Sequence, residues 1–143
     1  MADVIYNAFK YRQLGDTSIT PINLKTDTIK IALVTSSYTP NIDSHDFFDD
    51  VTNEVVGTGY TAGGNTLTVT TSQDNTDNEG VFDAADTSWS TSTITARGAV
   101  IYKSTGTAST SPLICYIDFG LNVVSLAGTF AITFAAEGII NLN

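Results

Sequence analysis

The sequence predicts a mainly β protein, a single-domain antiparallel β-sandwich of about seven to eight strands with one or two short helices. Three observations carry this. The 143 residues are rich in Thr, Ser, Val and Ile, which suit half-buried pleated strands better than helices. Short alternating runs recur between turn signals along most of the chain. No repeat of roughly 20 to 50 residues marks a solenoid, and no apolar run reaches the roughly 18 residues of a membrane-spanning helix.

The elements follow in order. VIYNAFKYRQLGD predicts a short helix around Asn7 to Leu14, stopped by Gly15. Residues 1–24 are expected to form an N-terminal arm that makes assembly contacts, ahead of a β-sandwich domain over 25–143. The start has no apolar stretch behind a basic one, so no secretory leader is expected. TDTIKIALVTSS is a strand with Ile29, Ile31 and Leu33 on one face and Lys30, Ala32 and Val34 on the other. Pro40 and Asn41 then break it.

DSHDFFDDV predicts a second short helix, capped by Asp43 or Ser44, with Phe47, Phe48 and Val51 as its apolar stripe. NEVVGTGYTAGGNTLTVTTSQ suggests a strand, a glycine connection and a further strand from Asn65 to Ser72. DNTDNEG is a polar turn and VFDAADTSWS one strand. STITARGAVIYKST is expected to be the longest strand, with Ile94, Ala96, Gly98, Val100 and Tyr102 sharing a face. Its tip STGTASTSP turns back into LICYIDFG as a hairpin with a long flexible loop. GTFAITFAAEGIINLN predicts two short strands meeting at AAEG.

Charge excludes whole function classes. The net charge is −9, and residues 31–96 contain ten acids with no Lys or Arg. Residues 1–30 hold Lys10, Arg12, Lys25 and Lys30 against three acids. Nucleic acid needs a basic stripe, which is missing, and anionic membrane surfaces are disfavoured for the same reason. The mildly basic first segment suits docking on other proteins.

Candidate chemistry is sparse. Asp43, His45 and Asp49 cluster around the one histidine, and a helix would put His45 and Asp49 on one face. One histidine and one distant cysteine fall short of a zinc set, leaving only an oxygen site for a hard cation. NTDNEGVFDAAD, aligned on Gly80, offers Asn75, Asp77, Glu79 and Asp86 as a degraded echo of an EF-hand loop. A solvated helix start and a polar turn are the plainer accounts. GTGYTAGG lacks the lysine and helix of a phosphate loop and is expected to be a turn with glycines at positive φ. Cys115 sits in an alternating run and is expected to be buried. No catalytic residue, cofactor or metal is expected. Trp89 is divided between core and assembly contact.

Three stretches together point to a family: IKIALVTSSYTPNIDSHDFFDDV, EVVGTGYTAGGNTLTV and STITARGAVIYKSTGTASTSPLICYIDFG. From about Lys25 onward the chain resembles small tailed-phage or prophage virion structural proteins. The resemblance implies a mainly β, non-enzymatic particle component without catalytic residues. It would be made in the bacterial host cytoplasm and carried on the virion. A capsid decoration (cement) protein is expected first. The alternative is a head- or tail-attached accessory or fibre module that binds a host receptor or glycan. Expected partners are the major capsid protein or other virion proteins, with a trimer or other symmetric homo-oligomer. Assembly contacts are expected at Tyr6, Phe9, Tyr11 and Trp89.

Overall fold

The computed structural model describes residues 2–16 and 20–143. It is mainly β, with two antiparallel sheets stacked as a sandwich. The strands are β1 (Val4–Ile5), β2 (Ile29–Val34), β3 (Asn65–Thr66), β4 (Val69–Asp74), β5 (Glu79–Ala84), β6 (Thr87–Lys103), β7 (Leu113–Ile132) and β8 (Ile140–Leu142). One helix, α1 (Asn7–Gln13), follows β1. The larger sheet runs β1-β7-β6-β2-β3 and the smaller β4-β5-β8.

β2 is apolar on both faces because both are covered. Ile29, Ile31 and Leu33 enter the larger core with Phe9, Trp89, Ile101, Ile114 and Phe130. Ala32 and Val34 enter a second core with Tyr6, Tyr38, Val100, Tyr102, Leu113 and Tyr116. Burying each such large side chain is worth roughly 1.5–3 kcal/mol. The two-faced pattern read from the sequence is what the sheet shows.

Residues 2–16 do not form a free arm. Val4 and Ile5 pair with Tyr116 and Cys115, and Tyr6 and Phe9 are 0% and 1% exposed. The expected helix is present, and Gly15 lies just beyond it at φ +103°. The remaining positions of the expected arm include Met1 and Thr17–Ile19, which lie outside the described residues.

The second expected helix is reduced to a 3-10 turn at Phe48–Asp50. Side chains there take the backbone donors that a helix needs. The Asp50 carboxylate accepts from the N–H groups of Asp46 (2.8 Å) and Phe47 (3.2 Å). The Asn41 side chain accepts from Asp43 (3.0 Å) and Ser44 (3.2 Å). Such local bonds compete directly with helix. Phe48 and Val51 still pack against the second core.

Two predicted strands divide where the chain changes layers. Asn65–Ser72 splits at Leu67 and Thr68 into β3 of one sheet and β4 of the other, and Leu67 is buried at the crossing. VFDAADTSWS splits at Ala85 and Asp86, where Ala85 N–H donates to the Thr68 carbonyl at 2.9 Å. Before the glycine turn, only Glu54 bridges to Val34.

β7 spans 20 residues and β6 17, so β7 is the longer. The predicted common face of β6 does not hold. Ile94 and Ala96 lie in the larger core, as do Ala99 and Ile101, whereas Val100 and Tyr102 lie in the second. The cause is a register shift between Ala96↔Val123 and Gly98↔Asp118. Asp118 secures that irregularity, accepting from Arg97 Nε at 2.8 Å and from Gly120 N–H at 2.9 Å. Those bonds, the one from Arg97 foremost, hold its carboxyl below the usual carboxylate range. The hairpin tip is also tied down: Ser111 Oγ donates to the Thr107 carbonyl at 2.7 Å and accepts from Thr105 N–H at 3.0 Å.

Candidate functional site

The structure does not bring Asp43, His45 and Asp49 together as ligands. Asp43 accepts from the Asn7 side chain at 2.8 Å, tying the loop to α1. Asp49 is exposed. His45 Nδ1 lies 3.3 Å from Asn41 N–H and 3.0 Å from Tyr38 OH. A backbone N–H can only donate, so Nδ1 accepts and Tyr38 donates to it. Tyr38 then accepts from Tyr6 OH, 2.8 Å away. The result is a directional chain, Tyr6 to Tyr38 to His45, leading from the core to the loop. Burial pushes the Tyr38 phenol up to about 12, and burial with the bond to Tyr38 pushes Tyr6 higher still.

Direction gives the two tyrosines different values. Tyr38→Phe leaves the fully buried Tyr6 hydroxyl without its acceptor and should cost about 1–3 kcal/mol. Tyr6→Phe leaves Tyr38 still bonded to His45 and should cost less. Urea denaturation of both variants checks this, and equal losses would contradict the assigned direction.

The glycine turn encloses a carboxylate, a role the sequence reading missed. Glu54 Oε1 accepts from Tyr60 OH and from Gly63 N–H, each at 2.6 Å. Tyr60 OH accepts in turn from Leu33 N–H at 3.0 Å, and Tyr102 OH donates to the Gly63 carbonyl at 2.8 Å. Burial, then the Glu54 carboxylate, pushes the Tyr60 phenol well above its ordinary value. Gly59, Gly63 and Gly64 all take positive φ, as the turn reading required. An acid just ahead of a Tyr-containing glycine turn is the only trace of this role in the sequence.

The EF-hand echo also resolves into a turn. Asp74 Oδ1 accepts from Thr76 N–H (2.7 Å) and Asp77 N–H (3.2 Å) between β4 and β5. Asp74, Asp77 and Glu79 have carboxylate oxygens within 4.8 Å of one another. Glu79 accepts from Asn141, and Asn75 from Gln73. Asp86 lies apart and accepts from Phe134 N–H at 3.0 Å. The cluster thus contains Asp74, which the sequence alignment omitted, and not Asp86. Cys115 is buried as expected, and burial pushes its thiol up to about 12, far from a reactive thiolate.

Comparison of the chain with protein-family models, with curated proteins and with solved structures finds no match. The site must therefore be read from the chain's own surface.

Of the four expected contact residues, Tyr6, Phe9 and Trp89 are buried within the chain. Trp89 packs against Tyr60 and Phe130, each at 5.9 Å between ring centres, and its indole N–H has no partner. Tyr11 is 63% exposed, and Leu14, which the sequence reading passed over, is 86% exposed. Lys10 lies beside them on α1, and Lys10 and Lys25 are the exposed cations among the described residues. No helix among those residues is long and apolar enough to cross a membrane.

Proposed function

We propose that this protein is a non-enzymatic structural component of a tailed-phage particle, a decoration protein held on the assembled shell by protein–protein contacts. The resemblance of its sequence to phage virion proteins motivates the reading. One structural observation carries it: α1 turns Phe9 into the core and presents Tyr11, Leu14 and Lys10 outward on a strongly acidic chain. An apolar pair beside a cation fits an acidic protein surface, such as a shell subunit, better than nucleic acid. The polar clusters are occupied in holding loops, which agrees with a binding role.

The test uses Tyr11→Ser combined with Leu14→Ser, both at exposed positions. Particles lacking the native copies are incubated with each protein and occupancy is measured. The double variant should bind at least about tenfold more weakly, a loss of about 1.4 kcal/mol, with an unchanged melting temperature. Undiminished occupancy would sink this docking face.

A second reading, recognition of a host receptor or glycan by a head- or tail-attached module, draws on one feature. A groove of about 310 Å³ is lined by Lys30, Phe48, Glu54 and Tyr102, with Phe48 stacked on Tyr102 at 4.1 Å. The half-buried Phe48 ring, backed by the buried Tyr102, beside Lys30 suits a sugar. Adsorption of the purified chain to host cells without particles would favour this reading over the first.

A further inference from the structure

β6 pairs with β7 from Tyr102↔Leu113 down to Thr87↔Ile132. On its other edge β7 meets β1 only at Cys115 and Tyr116. Among the described residues, no backbone–backbone hydrogen bond reaches that edge between Phe119 and Ile132. Unpaired strand edges are templates for another strand, and proteins commonly blunt them with lysine or proline. Neither residue occurs in 119–136.

Apolar side chains flank the same edge on both faces. Outward, Leu121, Val124 and Leu126 are 62%, 55% and 79% exposed. Inward, a groove of about 400 Å³ is lined by Phe119, Val123, Phe130, Phe134 and Ile139, with the Asp3 carboxylate, bonded to Asp118 N–H, the one charge on it. The ribbon is also free of charge. Residues 119–136 and residues 87–96 of the adjoining strand contain no Asp, Glu, Lys or Arg.

We infer that the Leu121–Leu126 edge of β7 pairs with the same edge of a second copy of this chain, antiparallel about a two-fold axis near Val124. Charge selects the occupant. Two chains of −9 each meet with least repulsion along a segment, 119–136, that itself carries no carboxylate, Asp3 and Asp118 at its start being bound to each other or to Arg97. A cationic partner gains nothing from an uncharged strip and is better served by the acids of 43–54 and 74–86. An uncharged apolar strip matches itself, as an isologous contact requires. Register shifts between Ser92 and Ile94 and between Ala96 and Gly98 bracket the segment, with Ala127 and Gly120 at positive φ nearby. They confine pairing to one short stretch, so the contact closes on two copies and does not grow into a fibre. This contact uses residues other than those of the α1 face and holds whether or not the chain docks on a particle.

Sedimentation velocity on the purified chain tests it. The wild type should sediment at twice the chain mass. Val124→Lys and Leu126→Lys should sediment at the single-chain mass with unchanged far-UV circular dichroism. Leu142→Lys, at a 57% exposed position on β8, should leave the pair intact. Val124→Cys serves as a second measurement should the lysine variants misfold. Directly opposed residues in an antiparallel pair have Cα atoms about 4.5–5.5 Å apart, within disulfide reach, so mild oxidation should link the two chains. A wild type of single-chain mass at every concentration overturns the inference. So does an assembly that survives both lysine variants, or a Val124→Cys protein that stays unlinked.

Discussion

Gly64→Ala is expected to remove the folded state. Gly64 takes φ +73°, and a Cβ built there lands on the carbonyl oxygen of Ile31 and within 2.8 Å of the Ala32 Cα. The left-handed backbone alone costs a non-glycine residue about 1–2 kcal/mol. The larger cost is that β2 backbone cannot yield as a flexible side chain can. Moving it breaks Lys30↔Thr66 and Ile31↔Asn65 and disturbs two cores at once. A total above about 4 kcal/mol follows, in the rare class of point mutations and close to a whole domain's net stability of about 5–15 kcal/mol. Soluble yield and a denaturation midpoint measure it. Gly15→Ala is the control: Gly15 has φ +103° but nothing within 4 Å, so only the backbone term of about 1–2 kcal/mol applies. A Gly64→Ala midpoint near that of the control would mean the 61–64 turn does not rest on β2.

Phe9→Ala should cost about 3–5 kcal/mol through lost burial and the cavity left behind. Phe9 is 1% exposed in the larger core. Tyr11→Ala, two residues on at 63% exposure, should stay within about 0.5 kcal/mol. Neighbouring aromatics on one seven-residue helix are thus expected to differ several-fold in thermal and urea stability. Equal, small effects would restore the picture of a detachable arm. Deleting residues 2–15 removes Tyr6 together with Phe9 and is expected to unfold the chain, so point changes at Tyr11 and Leu14 are the informative probes of docking.

How much of this was legible in the sequence depends on whether a feature is local. β2 could be read because alternating β-branched residues are a property of the strand itself, and Gly15 and AAEG mark ends by their own backbone preferences. The positive-φ glycines of GTGYTAGG were legible for the same reason. The common face assigned to β6 failed because a register shift belongs to a pair of strands. Nothing in TARGAV alone announces that β7 carries extra residues opposite Arg97. DSHDFFDD misled because acids suited to a helix start are equally suited to binding backbone N–H groups within a loop. Tyr6 and Phe9 were expected at assembly contacts because Tyr6 precedes, and Phe9 lies in, a helix of seven residues, too short for its periodicity to mark a buried face. Glu54 showed its role only once the turn was closed around it.

The pairing of Val4 and Ile5 with Tyr116 and Cys115 also sets an order in time. Contacts between distant residues form slowly because loop closure must precede them. β6 and β7 meet across one short tip and can join as soon as both exist. Tyr6 and Phe9, by contrast, have no sheet to enter until Leu113–Tyr116 has been synthesised. The stretch of this chain made first waits across the longest span of sequence for its partner strand.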